Sequence, residues 1–449
     1  MPTLLIRNAD VLVTMDGTRR EITGGGLLAR DGVIEAVGPT AALPRDADEI
    51  IDATGCVVTP GLINTHHHMY QNLTRAVPAG QDALLFGWLQ SLYPIWALFG
   101  PDEIRISALV ALAELALSGC TTAADHLYIF PNGARLDDEI DAANEIGVRL
   151  HATRGSMSIG ESNGGLPPDV LTEREPDILN DCIRAIDAFH DPNPGAMIRV
   201  GVAPCSPFSV SRELMRDSSL LARDKGVMMH THLAENDEDV VYSQQNFGCR
   251  PGQFAEDLGW TGPDVWHAHC VKLDAREIGL FARSGTGVAH CPCSNMRLGS
   301  GIAPIRAMRD QGVKVGLGVD GSASNDGADL MAEARQAMLL QRVARGADAM
   351  SAREALEIAT LGGASALRRD DLGALAPGKR ADFAVWPTTG IGTSGAWDPV
   401  AALILCGPHR ARDTYVEGRA VVRGGQLATI DLDATLRQHR ELAARLMDA

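Results

Sequence analysis

Val57-Val58-Thr59-Pro60-Gly61-Leu62-Ile63-Asn64-Thr65-His66-His67-His68 is a short apolar run that ends abruptly in polar residues of metal-ligand type. The β-branched and apolar part, Val57–Asn64, reads as a buried strand. The pattern recurs outward along the chain, and strands are predicted at Thr121–Ala124, Val148–Thr153, Ile198–Ala203, Val227–Thr231, Val265–Ala268, Gly287–Ala289 and Val315–Val319. Helical segments alternate with them, such as Pro101–Ser118, Arg276–Arg283 and Gly327–Arg345; Pro101 suits a first helical position and Gly119 a stop. Eight strand–helix repeats are most simply an α/β fold of the closed (β/α)8 TIM-barrel type.

The flanks read differently. From Leu4 to about Val58 the chain is strand-like, with turns at Asp16-Gly17, Asp31-Gly32 and Thr54-Gly55, which predicts an antiparallel sheet. Turn-and-strand character returns at Leu372–Trp386 and in a hairpin at Tyr415–Arg419. Both termini are therefore expected to form one small β-sandwich domain, residues 1–58 and 371–449, beside a barrel over 59–370. Asp431–Met447 is expected as a surface helix.

Composition bounds the function. Of 449 residues, 57 are acidic and 40 basic, a net charge of −17 that repels nucleic acid and anionic membrane but not a neutral small heterocycle. Nine cysteines without regular spacing argue against a disulfide framework. No charged N-terminal region precedes an apolar stretch, and no uncharged run is long enough to span a bilayer, so a cytoplasmic location is expected. Nothing in the sequence excludes a homo-oligomer.

Barrel active sites gather at the C-terminal strand ends, where the ligand-type residues fall. His66 and His68, two apart on extended backbone, point to one side as a chelating pair, and His67 points the other way. The fifth predicted strand leads to His232 with Glu235 following, the sixth to His269 and the eighth to Asp320. His66, His68, His232 and Asp320 are assigned to one divalent ion, with zinc first and Fe2+ or Mn2+ also suited to the set. His269 would hold a water and Glu235 would carry its proton. Asp320 could instead cap the following loop, and His230 is expected to face away from the barrel interior. The Leu84–Leu98 stretch, with Phe86, Trp88, Tyr93 and Trp96, reads either as a lid over a flat ring or as helix packing or a subunit contact.

The segments Thr59–His68, His232-Leu233-Ala234-Glu235, His269-Cys270, Val319–Asn325 and Pro377–Asp382 resemble the amidohydrolase superfamily over nearly the whole chain. They are most similar to its mononuclear deaminases and chlorohydrolases of purines, pterins and triazines. The resemblance implies a barrel with a sheet domain built from both termini. It also implies a single metal, because the bridging lysine of binuclear members is absent from Ile198–Ser206. Cys205 stands where related deaminases often carry a histidine. The run Met69–Ala76 after the triplet is most similar to the 8-oxoguanine deaminase subgroup, which implies Gln71, Arg154 and Cys205 as substrate-binding residues. The implied reaction is hydrolytic deamination of an aminopurine-type ring, 8-oxoguanine to urate and ammonia, with Glu235, His269 and Asp320 catalytic. The alternatives are isoxanthopterin or guanine deamination, a triazine-type hydrolase on the same scaffold, and a non-catalytic scaffold; loss of a ligand would favour the last, and none is lost.

Overall fold

The computed structural model describes residues 2–407 and 409–448. Eight parallel strands close a barrel in sequence order: Leu62–Asn64, Cys120–Leu127, Arg149–Ser156, Ile198–Pro204, Met229–Leu233, Val265–His269, Gly287–His290 and Lys314–Leu317. Closure is made where Leu317 pairs with Asn64. The helices Ala275–Ser284 and Leu330–Arg345 bury one side toward the barrel, and Pro101–Leu117 is buried nearly all round between the barrel and neighbouring helices. Inside the barrel, Ile63, Ala124, Met228, Trp266 and Ala289 fill the lower part, and Trp266 Nε1 donates to the Thr65 carbonyl at 2.9 Å. This packed layer separates the C-terminal strand ends from the opposite mouth of the barrel.

The run that opens the barrel differs from the single strand expected. It splits at Gly61: Cys56–Pro60 pairs with Thr3–Val13 and Phe383–Pro387 in the terminal sheet, and only Leu62–Asn64 enters the barrel. The reason is steric, since a Cβ on Gly61 would stand 2.2 Å from Thr121 Oγ1, and only glycine lets the chain pass between the two sheets there. The eighth strand likewise stops at Leu317. Asp320–Gly321 pairs instead with His67–His68, a two-stranded extension above the barrel.

The terminal sheet has nine strands. Thr3–Val13, Glu21–Arg30 and Val33–Pro39 pair antiparallel as expected, but Glu49–Asp52 and Cys56–Pro60 lie parallel to the first. The reason is that Pro39–Asp48 returns the chain to the start of the first strand instead of making a hairpin. The C-terminal strands Phe383–Pro387, Asp413–Val416, Arg419–Arg423 and Gln426–Leu427 complete the small β-sandwich, whose own core includes Ile6, Leu12, Val58, Phe383 and Tyr415. Arg149 ties the sheet to the barrel: fully buried, it grips Asp382 at 2.6 and 3.0 Å and also pairs with Glu417. The helix Leu432–Met447 packs on Pro101–Leu117. No helix among the described residues is long and apolar enough to cross a membrane.

Candidate metal centre and active site

At the strand ends the backbone itself is unusual. Ala234, His269, Cys270 and Asp320 all have positive φ, between 51° and 67°. Each non-glycine residue so held costs about 1–3 kcal/mol, a strain typical of functional sites. These bends turn the His269 and Asp320 side chains over the barrel mouth.

The hydrogen bonds fix which nitrogen each imidazole leaves free. His68 Nδ1 lies 2.7 Å from the His126 carbonyl and His232 Nδ1 lies 2.6 Å from the Cys205 carbonyl, so both must carry their hydrogen on Nδ1. His230 Nδ1 donates to the Trp266 carbonyl at 2.8 Å, which leaves its Nε2 as an acceptor for His66 Nδ1, also at 2.8 Å. Three Nε2 lone pairs, from His66, His68 and His232, therefore converge. His68 and His232 stand 3.0 Å apart, and Asp320 Oδ1 is 3.2 Å from His66 Nε2 and 3.3 Å from His68 Nε2. Burial holds all three imidazoles below the usual histidine range, hence neutral. Burial alone would raise the Asp320 carboxyl, and the neighbouring His269, whose own pKa is raised, works against that.

Three lone pairs and a carboxylate with no hydrogen between them repel one another unless a cation sits among them. The donor set fits a divalent metal ion of borderline type. Ser294 and Ser324 hydroxyls donate to Asp320 Oδ2 at 2.5 and 3.2 Å, which orients the other oxygen toward the imidazoles.

His269 sits beside this cluster with its ring stacked on His232, centroids 5.5 Å apart. Its Nδ1 donates to Asn295 Oδ1 at 2.9 Å, and its Nε2 faces Glu235 Oε2 at 3.6 Å and Asp320 Oδ2 at 3.9 Å. Burial would lower its pKa, but the charges of Glu235 and Asp320 raise it overall. Glu235, 4% exposed and with Oε1 lacking a hydrogen-bond partner, is pushed up to about 7 by burial, against the pull of His269. A carboxyl poised near neutrality can both accept and return a proton.

Above lies a cavity with His68, His232, Glu235, His269 and Asp320 at its polar end. Leu85, Trp88, Leu89, Tyr93, Phe208 and Leu298 form apolar walls. The helix Leu85–Trp96 supplies four of those walls, and Trp88 Nε1 anchors it to the Ala323 carbonyl at 3.0 Å. The expected aromatic stretch thus roofs the cavity on its inner side.

Gln71 and Cys205 line the cavity. Gln71 is buried, and its Nε2 has no partner among the described residues. Arg154 is not brought to the cavity. Its guanidinium is fully engaged by Glu173, Asp181 and the Gly155 carbonyl and lies 4.0 Å over the Phe130 ring, because the end of the third strand carries it outward against the helix Glu175–Phe189. His230 also differs from expectation: residues two apart on a strand share a face, so it points inward with His232, stacked on Trp266 at 4.4 Å directly beneath His66. The residue the sequence reading missed is His126. It ends the second strand, stacks on His232 at 4.9 Å, and belongs with His66, His68 and His232 in a second cluster of ligand-type atoms. Its signal was the same one used elsewhere, a histidine at a strand end. Ser294 and Ser324 carried no such signal, since isolated serines are common in loops.

A model described as the amidohydrolase family matches residues 57–421. The chain belongs to the amidohydrolase family. Within the family it is 44% identical to the 8-oxoguanine deaminase of Pseudomonas aeruginosa, over 98% of each chain. It is 39% identical to an isoxanthopterin deaminase from an unknown prokaryotic organism, over 93% of this chain and 94% of that one. Among solved structures, the atrazine chlorohydrolase of Arthrobacter aurescens TC1 complexed with zinc superposes with a TM-score of 0.93 at 36% identity, covering 98% of this chain and 100% of that one. Membership and relatives together make the chain a metal-dependent hydrolytic deaminase of this family.

Proposed function

We propose that the protein deaminates 8-oxoguanine hydrolytically to urate and ammonia, with one zinc ion held by His66, His68, His232 and Asp320. The observation that carries the reading is the convergence of three unprotonated Nε2 atoms and one carboxylate beside the buried Glu235, whose Oε1 is unpartnered among the described residues, at the end of a cavity with apolar walls. The similarity to 8-oxoguanine deaminase along the whole chain supports the choice of ring. When bound, the ion supplies Lewis-acid activation of a water molecule; Fe2+ or Mn2+ would serve the same donors.

The chain's own residues do the rest. Glu235, ionised, accepts a proton from the attacking water and, protonated, delivers it to the ring nitrogen beside the carbon that bears the amine. His269, fixed by Asn295, donates from Nε2 to the oxygen added at that carbon. The proton left on the added oxygen then passes through Glu235 to the amine, the carbon–nitrogen bond breaks to release ammonia, and a carbonyl remains. Gln71 Nε2 donates to an acceptor on the ring edge, and Cys205 packs against it with a neutral thiol, since burial pushes its pKa up to about 12. Trp88, Tyr93 and Phe208 cover the faces of the ring and exclude water.

The test is release of ammonia, with the change in ultraviolet absorbance, from 8-oxoguanine, guanine, isoxanthopterin and cytosine by the purified, metal-analysed protein. The highest kcat/KM is expected on 8-oxoguanine. Turnover of isoxanthopterin or guanine with none of 8-oxoguanine would transfer the site to that ring.

A further inference from the structure

A second cavity, of about 230 Å³, opens at the N-terminal mouth of the barrel, on the face opposite the active site. His151, His190, Arg199 and Arg368 line it. His151 and Arg199 are direct partners across the third and fourth strands, near the ends where those strands begin. Cys205, beyond the other end of the fourth strand, lines the active site, so the full length of a strand separates the two cavities.

The basic groups of this mouth have little to neutralise them. His151 is 3% exposed, and neither of its ring nitrogens has a hydrogen-bond partner among the described residues. Its ring rests against Trp266, centroids 5.1 Å apart. Among the described residues Arg199 donates only to two main-chain carbonyls, of Arg368 at 3.2 Å and Pro192 at 3.4 Å, and its Nε is unpartnered. The carboxylates near it are engaged elsewhere: Asp371 is held by Arg369 at 2.8 and 2.9 Å and by the Gly195 amide, and Asp191 by Asn193. His190 Nδ1 accepts from the Val200 amide at 3.0 Å, which places its hydrogen on Nε2 as a donor. Burial and the neighbouring arginine charge lower the Arg199 pKa, and burial with the Arg199 charge holds His151 neutral. An anion would relieve both.

We propose that this cavity binds the phosphate group of a small anion, with Arg199 and Arg368 as charge partners and His151 and His190 donating to its oxygens. Guanidinium groups present planar pairs of donors that match phosphate oxygens, and the cavity is large enough for a phosphate group. Two sources share this chemistry, inorganic phosphate and a nucleoside 5′-monophosphate.

Calorimetric titration of the full-length, metal-loaded protein with each, in phosphate-free buffer against potassium chloride of equal ionic strength, tests the site. Saturable binding of one phosphate group per chain is expected, weakened at least about tenfold by Arg199→Gln and by Arg368→Ala. Deaminase kcat and KM should be unchanged in both variants, which separates this site from any anion at the metal centre. Tighter binding of the monophosphate identifies a nucleotide as the ligand, and equal binding identifies the free ion. Arg368 is exposed, so its variant keeps the test decisive if Arg199→Gln folds poorly. Heat no greater than the chloride control, or affinity unaltered in Arg368→Ala, overturns the proposal.

Discussion

His68 and His232 face each other through Nε2 atoms 3.0 Å apart, and neither atom carries a hydrogen. Their Nδ1 hydrogens are committed to the carbonyls of His126 and Cys205, so the pair cannot resolve the contact by sharing a proton in its neutral state. The contact makes sense as two ligands waiting on one cation. Removing the metal with a chelator should therefore lower the melting temperature, and zinc should restore it. Metal at a thousandfold excess over its Kd is worth about 4 kcal/mol. Identical melting of stripped and loaded protein in differential scanning calorimetry would contradict the ligand set.

Glu235→Gln should keep its metal, measured by elemental analysis, and its melting temperature, while kcat falls by about 10²–10⁴. Glutamine preserves the shape but cannot take a proton. Undiminished turnover would remove Glu235 from the proposed proton path.

Ser294→Ala removes the shorter of the two hydroxyl contacts to Asp320 Oδ2 and frees the carboxylate to rotate. Metal affinity is expected to fall about 10- to 100-fold, read by competition with a chromophoric chelator, while the fold survives.

Gln71 and Arg154, paired by the resemblance, should behave oppositely. Gln71→Leu should raise KM and lower kcat/KM about tenfold or more by removing a buried donor to the ring, at little cost in stability. Arg154→Met should leave KM unchanged but destabilise the protein by about 2–3 kcal/mol. That figure is discounted below the usual penalty for breaking a buried ion pair, because the side chains of Glu173 and Asp181 are 27% and 21% exposed. A rise in KM in Arg154→Met would return it to the substrate.

Glu333 offers a pH test outside the ligand set. Burial pushes its carboxyl up to about 7, although Cys293 and Asn325 donate to it. The folded state thus holds this proton more tightly than the unfolded state, so its contribution is fully present below about pH 4.5 and is lost as pH rises through 7. Glu333→Gln cannot titrate. Its stability relative to the parent should improve by about 3 kcal/mol between pH 4.5 and 8 in urea unfolding; a constant difference would show that Glu333 does not titrate in that range.

Much of this protein could be read from residue order because its strands are short, apolar and punctuated, and because His66, His68, His232, His269 and Asp320 each follow such a run within a few residues. Where the reading failed, the cause was local geometry. Gly61 divides one apolar run between two sheets on account of Thr121, a residue 60 positions away. His230, expected to face outward, shares the inward face of His232 because residues two apart on a strand lie on one side. Arg154 ends a strand, as a substrate residue would, yet its carboxylate partners lie 19 and 27 residues downstream on the outer side.

The sequence by itself determined the periodicity, and hence the barrel, and the ligand-type side chains that its strand ends present. Tertiary structure alone decided which nitrogen each histidine leaves bare. That choice is set by the carbonyls of His126, Cys205 and Trp266, which reach the rings only after parallel strands distant in sequence are brought into register. It likewise decided that four basic groups gather at the opposite mouth of the barrel. Strand-end chemistry is local and survives in residue order, whereas hydrogen-bond partnership and charge balance depend on through-space distances that exist only once the cylinder has closed.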